Sequence, residues 1–131
     1  MSKPSLVSIG GGASLREQVS GPEWEARVNL AAAFRVAAHL GWNFGNRNHI
    51  AMRLPDAPGH FLMNAQNFGW HEITASNLLK IDLDGNRILT ETDMTPGPAG
   101  LNFHSEILRS KPALSATLHL HPKNGVVVSA M

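Results

Sequence analysis

The stretch Ser115-Ala116-Thr117-Leu118-His119-Leu120-His121-Pro122 carries the residues best suited to chemistry. Two imidazoles separated by one residue on an extended segment point to the same face, because strand side chains alternate with a period of two. Their rings can then converge on one ion, and neutral imidazole is a good ligand for Zn²⁺, Mn²⁺ and similar metals. Burying both rings beside Leu118 and Leu120 calls for a compensating partner, which a metal supplies. Taken alone, H-x-H is a weak pattern. Two partly exposed histidines at a strand end also fit it, and a catalytic zinc usually takes three protein ligands.

The elements around the pair decide between these readings. Residues 113–120 are apolar and strand-like, and residues 101–110 fit a helix closed by Lys111-Pro112. Upstream, a helix starts near Pro22, where a missing N–H costs nothing. It runs over 24–40 with Val28, Ala31, Ala32, Phe34, Ala38 and Leu40 recurring at helical spacing, and Gly41 ends it. Glu23 and Glu25 suit the positive end of its dipole. After an Asn- and Gly-rich loop, residues 49–54 and 60–63 read as a hairpin, the first strand stopped by Pro55. Residues 64–72 read as loop and 74–77 as a turn or helical start. Residues 78–82 and 87–90 form a second hairpin across Leu83-Asp84-Gly85-Asn86, where glycine tolerates positive φ. Gly and Pro crowd 95–100. Residues 126–131 begin another apolar element that runs into the carboxyl terminus, which suggests a domain cut mid-element. Residues 1–21, with Gly10-Gly11-Gly12, read as a flexible leader; an arm packed on a neighbour is the alternative.

Composition bounds the function. The 131 residues are 43% hydrophobic and 16% charged, a globular balance that makes one domain or part of one. A formal charge of +1, with no Lys/Arg run, argues against nucleic acid as a partner. The absence of cysteine removes disulfides, thiol nucleophiles and thiolate metal sites. No signal-peptide core or membrane-length apolar stretch is present, so the expectation is a soluble cytoplasmic protein without a membrane partner.

Several segments, in order, resemble the class II aldolase/adducin family. The run 103–113, Phe-His-Ser-Glu-Ile-Leu-Arg-Ser-Lys-Pro-Ala, followed by His119-Leu120-His121, is similar to the family's helix, Lys/Arg-Pro turn and strand ending in H-x-H. His49-Ile50-Ala51-Met52-Arg53-Leu54-Pro55 is similar to the strand after its first helix. Phe61-Leu62-Met63-Asn64 through Glu72-Ile73-Thr74, then Lys80-Ile81-Asp82-Leu83-Asp84-Gly85-Asn86, looks like its middle section. The likeness covers about residues 22–131.

The resemblance implies a three-layer α/β/α sandwich around a mainly antiparallel or mixed sheet, truncated here at its C-terminus, and a homotetramer. It implies a divalent metal, zinc first and manganese or another ion as alternatives, held by His119, His121 and a third histidine further on. In the family's enzymes that metal polarises oxygens of a small hydroxy-carbonyl compound or sugar phosphate and stabilises an enediolate while a C–C bond breaks or forms.

Three features depart from the enzyme pattern, one being that the third histidine ligand is expected beyond residue 131. The acidic residue that the aldolases place before the helix falls at Gly100, and glycine cannot move a proton. The phosphate-gripping segments, rich in Gly, Ser and Thr in the aldolases, correspond to Asn48-His49, Asn64 to Asn67 and Pro98-Ala99. Pro98-Ala99-Gly100 and the His49-Ile50 strand are closer to the adducin-like branch, whose aldolase-like head is regarded as non-enzymatic. A non-catalytic, cytoskeletal-type interaction protein and an inactive fragment are therefore the alternatives to a metal-dependent lyase or epimerase. Candidate substrate contacts are Asn48, His49, Asn64, Gln66 and His104. His104 is expected at a helix start, Glu106 toward solvent, and His39 and His71 in structural or surface roles. Trp24, Trp42 and Trp70 are expected in the core or at subunit contacts.

Overall fold

A computed structural model describes residues 13–45, 47–89 and 93–131. The first long helix forms where capping and composition agree. Ser20 accepts a hydrogen bond from the Glu23 N–H at 3.1 Å, Pro22 sits in the first turn, and the alanine-rich helix α2 runs from Gly21–His39. It stops at Gly41, whose φ of +68° costs glycine nothing. Its buried face, Ala26, Leu30, Ala31, Phe34 and Ala37, lies on the sheet. Phe34 meets Trp70 edge-on at 4.9 Å, and Trp70 opens a 3-10 turn, Trp70–Glu72, inside the segment expected to be loop.

The sheet has five strands: β1 (His49–Arg53), β2 (His60–Met63), β3 (Leu79–Asp82), β4 (Arg87–Leu89) and β5 (Ala116–His119). Their order is β4-β3-β2-β1-β5, and every pairing is antiparallel. Both expected hairpins are present, with Gly85 at φ +91° in the second turn. Thr90, the expected end of that hairpin, lies outside the described residues.

Alternation splits the sheet side chains between two cores. Ile50 and Leu62, with Leu54 and Leu78 beyond the strand ends, pack with α2; Ala51, Phe61, Met63, Leu79 and Ile81 pack with Leu108 of helix α3 (Pro98–Ser110) on the other face. Helix, sheet and helix make the three expected layers.

Two charged nodes pin the layers. Arg27 is fully buried, pairs with Glu23 at 3.0 Å, and donates to the carbonyls of Leu78 at 2.9 Å and Ala75 at 3.2 Å. Lys80 of β3 reaches the second Glu23 oxygen at 2.6 Å. At the end of β1, Arg53 donates to the Leu114 carbonyl at 3.0 Å and also to the carbonyls of Pro58 and Leu108.

Several sequence-based boundaries move. Within the expected leader, helix α1 (Leu15–Gln18) is capped by Ser14 and Glu17 and buries Leu15, so apolar anchoring orders the chain before residue 21; residues 1–12 lie outside the described residues. Helix α3 starts at Pro98 rather than 101, since proline suits a first helical turn. Strand β5 begins at Ala116, residues 113–115 being spent in the turn from α3. The final apolar segment is helix α4 (Lys123–Ser129), with Val126, Val127 and Val128 exposed. No helix among the described residues is long and apolar enough to cross a membrane.

Candidate functional site

Pairing of β1 with β5 sets His49 opposite His119 and Ala51 opposite Thr117, all on the α3 face. Residues far apart in sequence thereby share one patch. His49 stacks on His119, ring centroids 4.8 Å apart and 16° from parallel. His121 lies just beyond the end of β5, where its N–H donates to the Trp42 carbonyl at 3.1 Å. Its ring nevertheless stays on the side of His119, at 4.7 Å and nearly perpendicular. The H-x-H rings converge.

The orientation of His121 follows from its partner. Asn48 donates through Nδ2 to the Phe44 carbonyl at 2.8 Å, so its Oδ1 faces His121 Nδ1 at 2.7 Å. An amide oxygen only accepts, so Nδ1 carries the proton and the lone pair of His121 is on Nε2. Fixing one ring nitrogen to an oxygen acceptor is how proteins aim a metal-ligating histidine.

Helix α3 supplies the next layer. His104 is fully buried, with Nε2 2.7 Å from His49 Nδ1 and Nδ1 2.6 Å from Thr117 Oγ1. It stands behind His49 in mid-helix, rather than at a helix start. Burial, then repulsion from His119 and His121, lowers the His49 pKa from 6.5 to about 4. Burial, then His49 and His119, lowers His104 from 6.5 to about 4. His119 is also lowered, by burial first and then by His121. These three imidazoles are neutral at pH 7, the form that binds metals.

The donor chemistry therefore suits a divalent ion: the His119 and His121 rings converge, and the Asn48 contact fixes the tautomer of His121. No group of three or more His, Cys, Asp or Glu among the described residues is placed to hold a metal.

Beside His49 lies a cavity of about 230 Å³ lined by Arg47, Asn48, Met63, Asn64, Gln66 and the start of α3. Asn64 is 5% exposed, and its Oδ1 has no hydrogen-bond partner among the described residues. Such an orphaned acceptor is costly unless something fills it. Gly100 lines the same cavity. A Cβ there would lie 2.7 Å from His49 Cδ2 and 3.0 Å from Nε2, so the ring occupies the space a side chain would need. Arg47 also lines an adjoining 710 Å³ depression with Phe44, His121, Lys123, Val126 and Val127.

Of the expected contacts, His49, Asn48, Asn64 and Gln66 line the cavity together. The Asn48 amide is already engaged at both ends, and His104 is enclosed behind His49. Glu106 faces solvent, while His39 and His71 share a separate depression with Arg35. Sequence reasoning missed Thr117 and Arg47. Period-two spacing from His119 places Thr117 on the histidine face; nothing in the sequence marked Arg47.

A sheet covered on both faces, with paired imidazoles at the edge of β5, defines a class that the family description "Class II Aldolase and Adducin N-terminal domain" matches over residues 28–131. The chain belongs to the class II aldolase/adducin family. It is similar to an aldolase class 2-type protein of Caulobacter vibrioides, with 42% identity over 117 residues, 89% of this chain and 45% of that protein. The crystal structure of an aldolase II superfamily protein from Pseudomonas syringae superposes with a TM-score of 0.87 at 43% identity, covering 91% of this chain and 48% of that one. L-fuculose 1-phosphate aldolase from Glaciozyma antarctica PI12 superposes with a TM-score of 0.75 at 25% identity, covering 91% and 47%. The chain thus spans less than half the length of these relatives.

Proposed function

We propose that this chain provides two of the ligands, and part of the substrate pocket, of a divalent-metal centre for aldol-type chemistry on a small hydroxy-carbonyl or sugar-phosphate compound. The carrying observation is the His119–His121 pair, with His121 oriented by Asn48. When bound, the metal, zinc or manganese, supplies Lewis acidity toward substrate oxygens. The chain's own residues do the rest. Asn48 holds the His121 lone pair in place, Asn64 and Gln66 give the pocket a polar lining, and Arg47 offers positive charge to an anionic end. The name of the L-fuculose 1-phosphate aldolase neighbour is consistent with a phosphorylated sugar. The full protein would work in the cytoplasm as a homo-oligomer, a tetramer by analogy with the family.

The second reading, a non-catalytic adducin-like interaction protein, is favoured by Gly100, which brings no proton-transferring side chain to the cavity. A zinc competition titration of the chain and its His119→Ala and His121→Ala variants separates the two. The metal reading expects one zinc per chain, lost in either variant. Failure of the unmutated chain to bind zinc overturns it.

A further inference from the structure

The His49–His104–Thr117 chain is not accounted for by metal binding: His104 and Thr117 are both buried, and their hydrogen bonds run to one another and to His49 rather than to His119 or His121. Three observations bear on its role. First, His49 is held from behind: its Nδ1 is 2.7 Å from His104 Nε2, and His104 Nδ1 is 2.6 Å from Thr117 Oγ1. Second, His49 Nε2 has no hydrogen-bond partner among the described residues, and the ring lines the 230 Å³ cavity. Third, the helix yields to the ring, because any side chain at position 100 would collide with it.

We propose that His49 is the substrate-contacting nitrogen of this cavity, carried by β1 into the space left vacant at Gly100, with His104 and Thr117 as its positioning residues. The inference rests on the reading given under Proposed function and names a further residue of that site. The partner atom is a hydroxyl or carbonyl oxygen of the same small, oxygen-rich ligand, in a cavity that Asn64 and Gln66 also line.

Hydrogen-bond chemistry gives the device its character. Two proton arrangements satisfy the whole chain. In one, Thr117 O–H donates to His104 Nδ1, His104 Nε2–H donates to His49 Nδ1, and His49 offers an Nε2–H to the cavity. In the other, each of the two internal bonds is reversed, and His49 offers a lone pair. Both are neutral, so the same ring serves a donor or an acceptor on the ligand without burying a charge. Only a hydroxyl at position 117 supports both arrangements, because it can either donate or accept.

The test is nitrogen-15 histidine NMR on the zinc-loaded 131-residue chain titrated with dihydroxyacetone phosphate. The His49 ring resonances are expected to shift saturably, and His49→Ala should weaken binding about tenfold while zinc affinity stays within about twofold. His49→Gln, which keeps a polar group, should recover part of the loss and covers the case in which the alanine variant folds poorly. Thr117→Val should change the His49 tautomer ratio and weaken binding severalfold, with Thr117→Ser restoring both; a packing role alone would leave the tautomer unmoved. If zinc binds but His49→Ala takes the ligand as well as the unmutated chain does, the inference is overturned and the metal reading stands. If zinc itself fails to bind, both fall together.

Discussion

Substituting Gly100 by alanine tests the packing at the centre of the site. The added methyl carbon would sit 2.7 Å from His49 Cδ2 and 2.9 Å from Cγ, well inside contact distance. Cγ is bonded directly to Cβ, so the conflict is not with the far end of a flexible side chain. The ring is also clamped, by His119 stacked at 4.8 Å and His104 bonded at 2.7 Å. Overpacking of this kind costs about 1–3 kcal/mol, and loss of the His49–His104 bond adds roughly 0.5–1.5 kcal/mol. Better helix propensity returns about 1 kcal/mol at most. The expected net loss is about 1–3 kcal/mol, or roughly 3–10 °C in Tm for a chain of this size. Differential scanning calorimetry measures it, and a double-mutant cycle with His49→Ala isolates its cause. With the ring gone, the three nearest atoms to the added methyl are removed, and alanine at 100 should be neutral or stabilising. Equal melting of Gly100→Ala and the unmutated chain, or a loss that persists without His49, would refute the reasoning.

Three further outcomes follow from the same geometry. Because the folded pKa values of His49 and His104 are lowered from 6.5 to about 4, the unfolded chain binds more protons between these limits; urea midpoints should fall from about pH 6.5 down to about pH 4 and then level off as far as these groups are concerned. Asn48→Ala frees the His121 ring and should weaken zinc about tenfold in a competition titration, less than the complete loss expected for His121→Ala. Glu23→Ala leaves Arg27 buried without its carboxylate and should cost about 3–5 kcal/mol by urea denaturation, whereas a cost below about 1 kcal/mol would mean that the Ala75 and Leu78 carbonyls suffice.

The fold was legible where short-range chemistry decides it. The Pro22 start, the Gly41 stop, the Pro55 strand stop and the Gly85 turn are local signals, and α2 and both hairpins follow from them. Leu15 was hidden because a single buried leucine in a polar segment has no periodicity to announce it. The early start of α3 was written in Pro98, but the surrounding Gly and Pro residues read as loop. In the site, the H-x-H spacing brought His119 and His121 forward, since alternation is a local rule. The association of His49, His104 and Thr117 depends on β1 lying beside β5 and α3 crossing both, a juxtaposition of segments that no nearby spacing encodes.

Arg53 has a bearing on the histidines although it sits at the opposite end of the same strand. By gripping the carbonyls of Leu108 and Leu114 it fixes how the chain leaves α3 and enters β5. A slip of one residue in that entry would turn Thr117 and His119 to the face occupied by α2. The guanidinium thus works as a register lock: a contact remote from the imidazoles selects which side of the sheet they stand on.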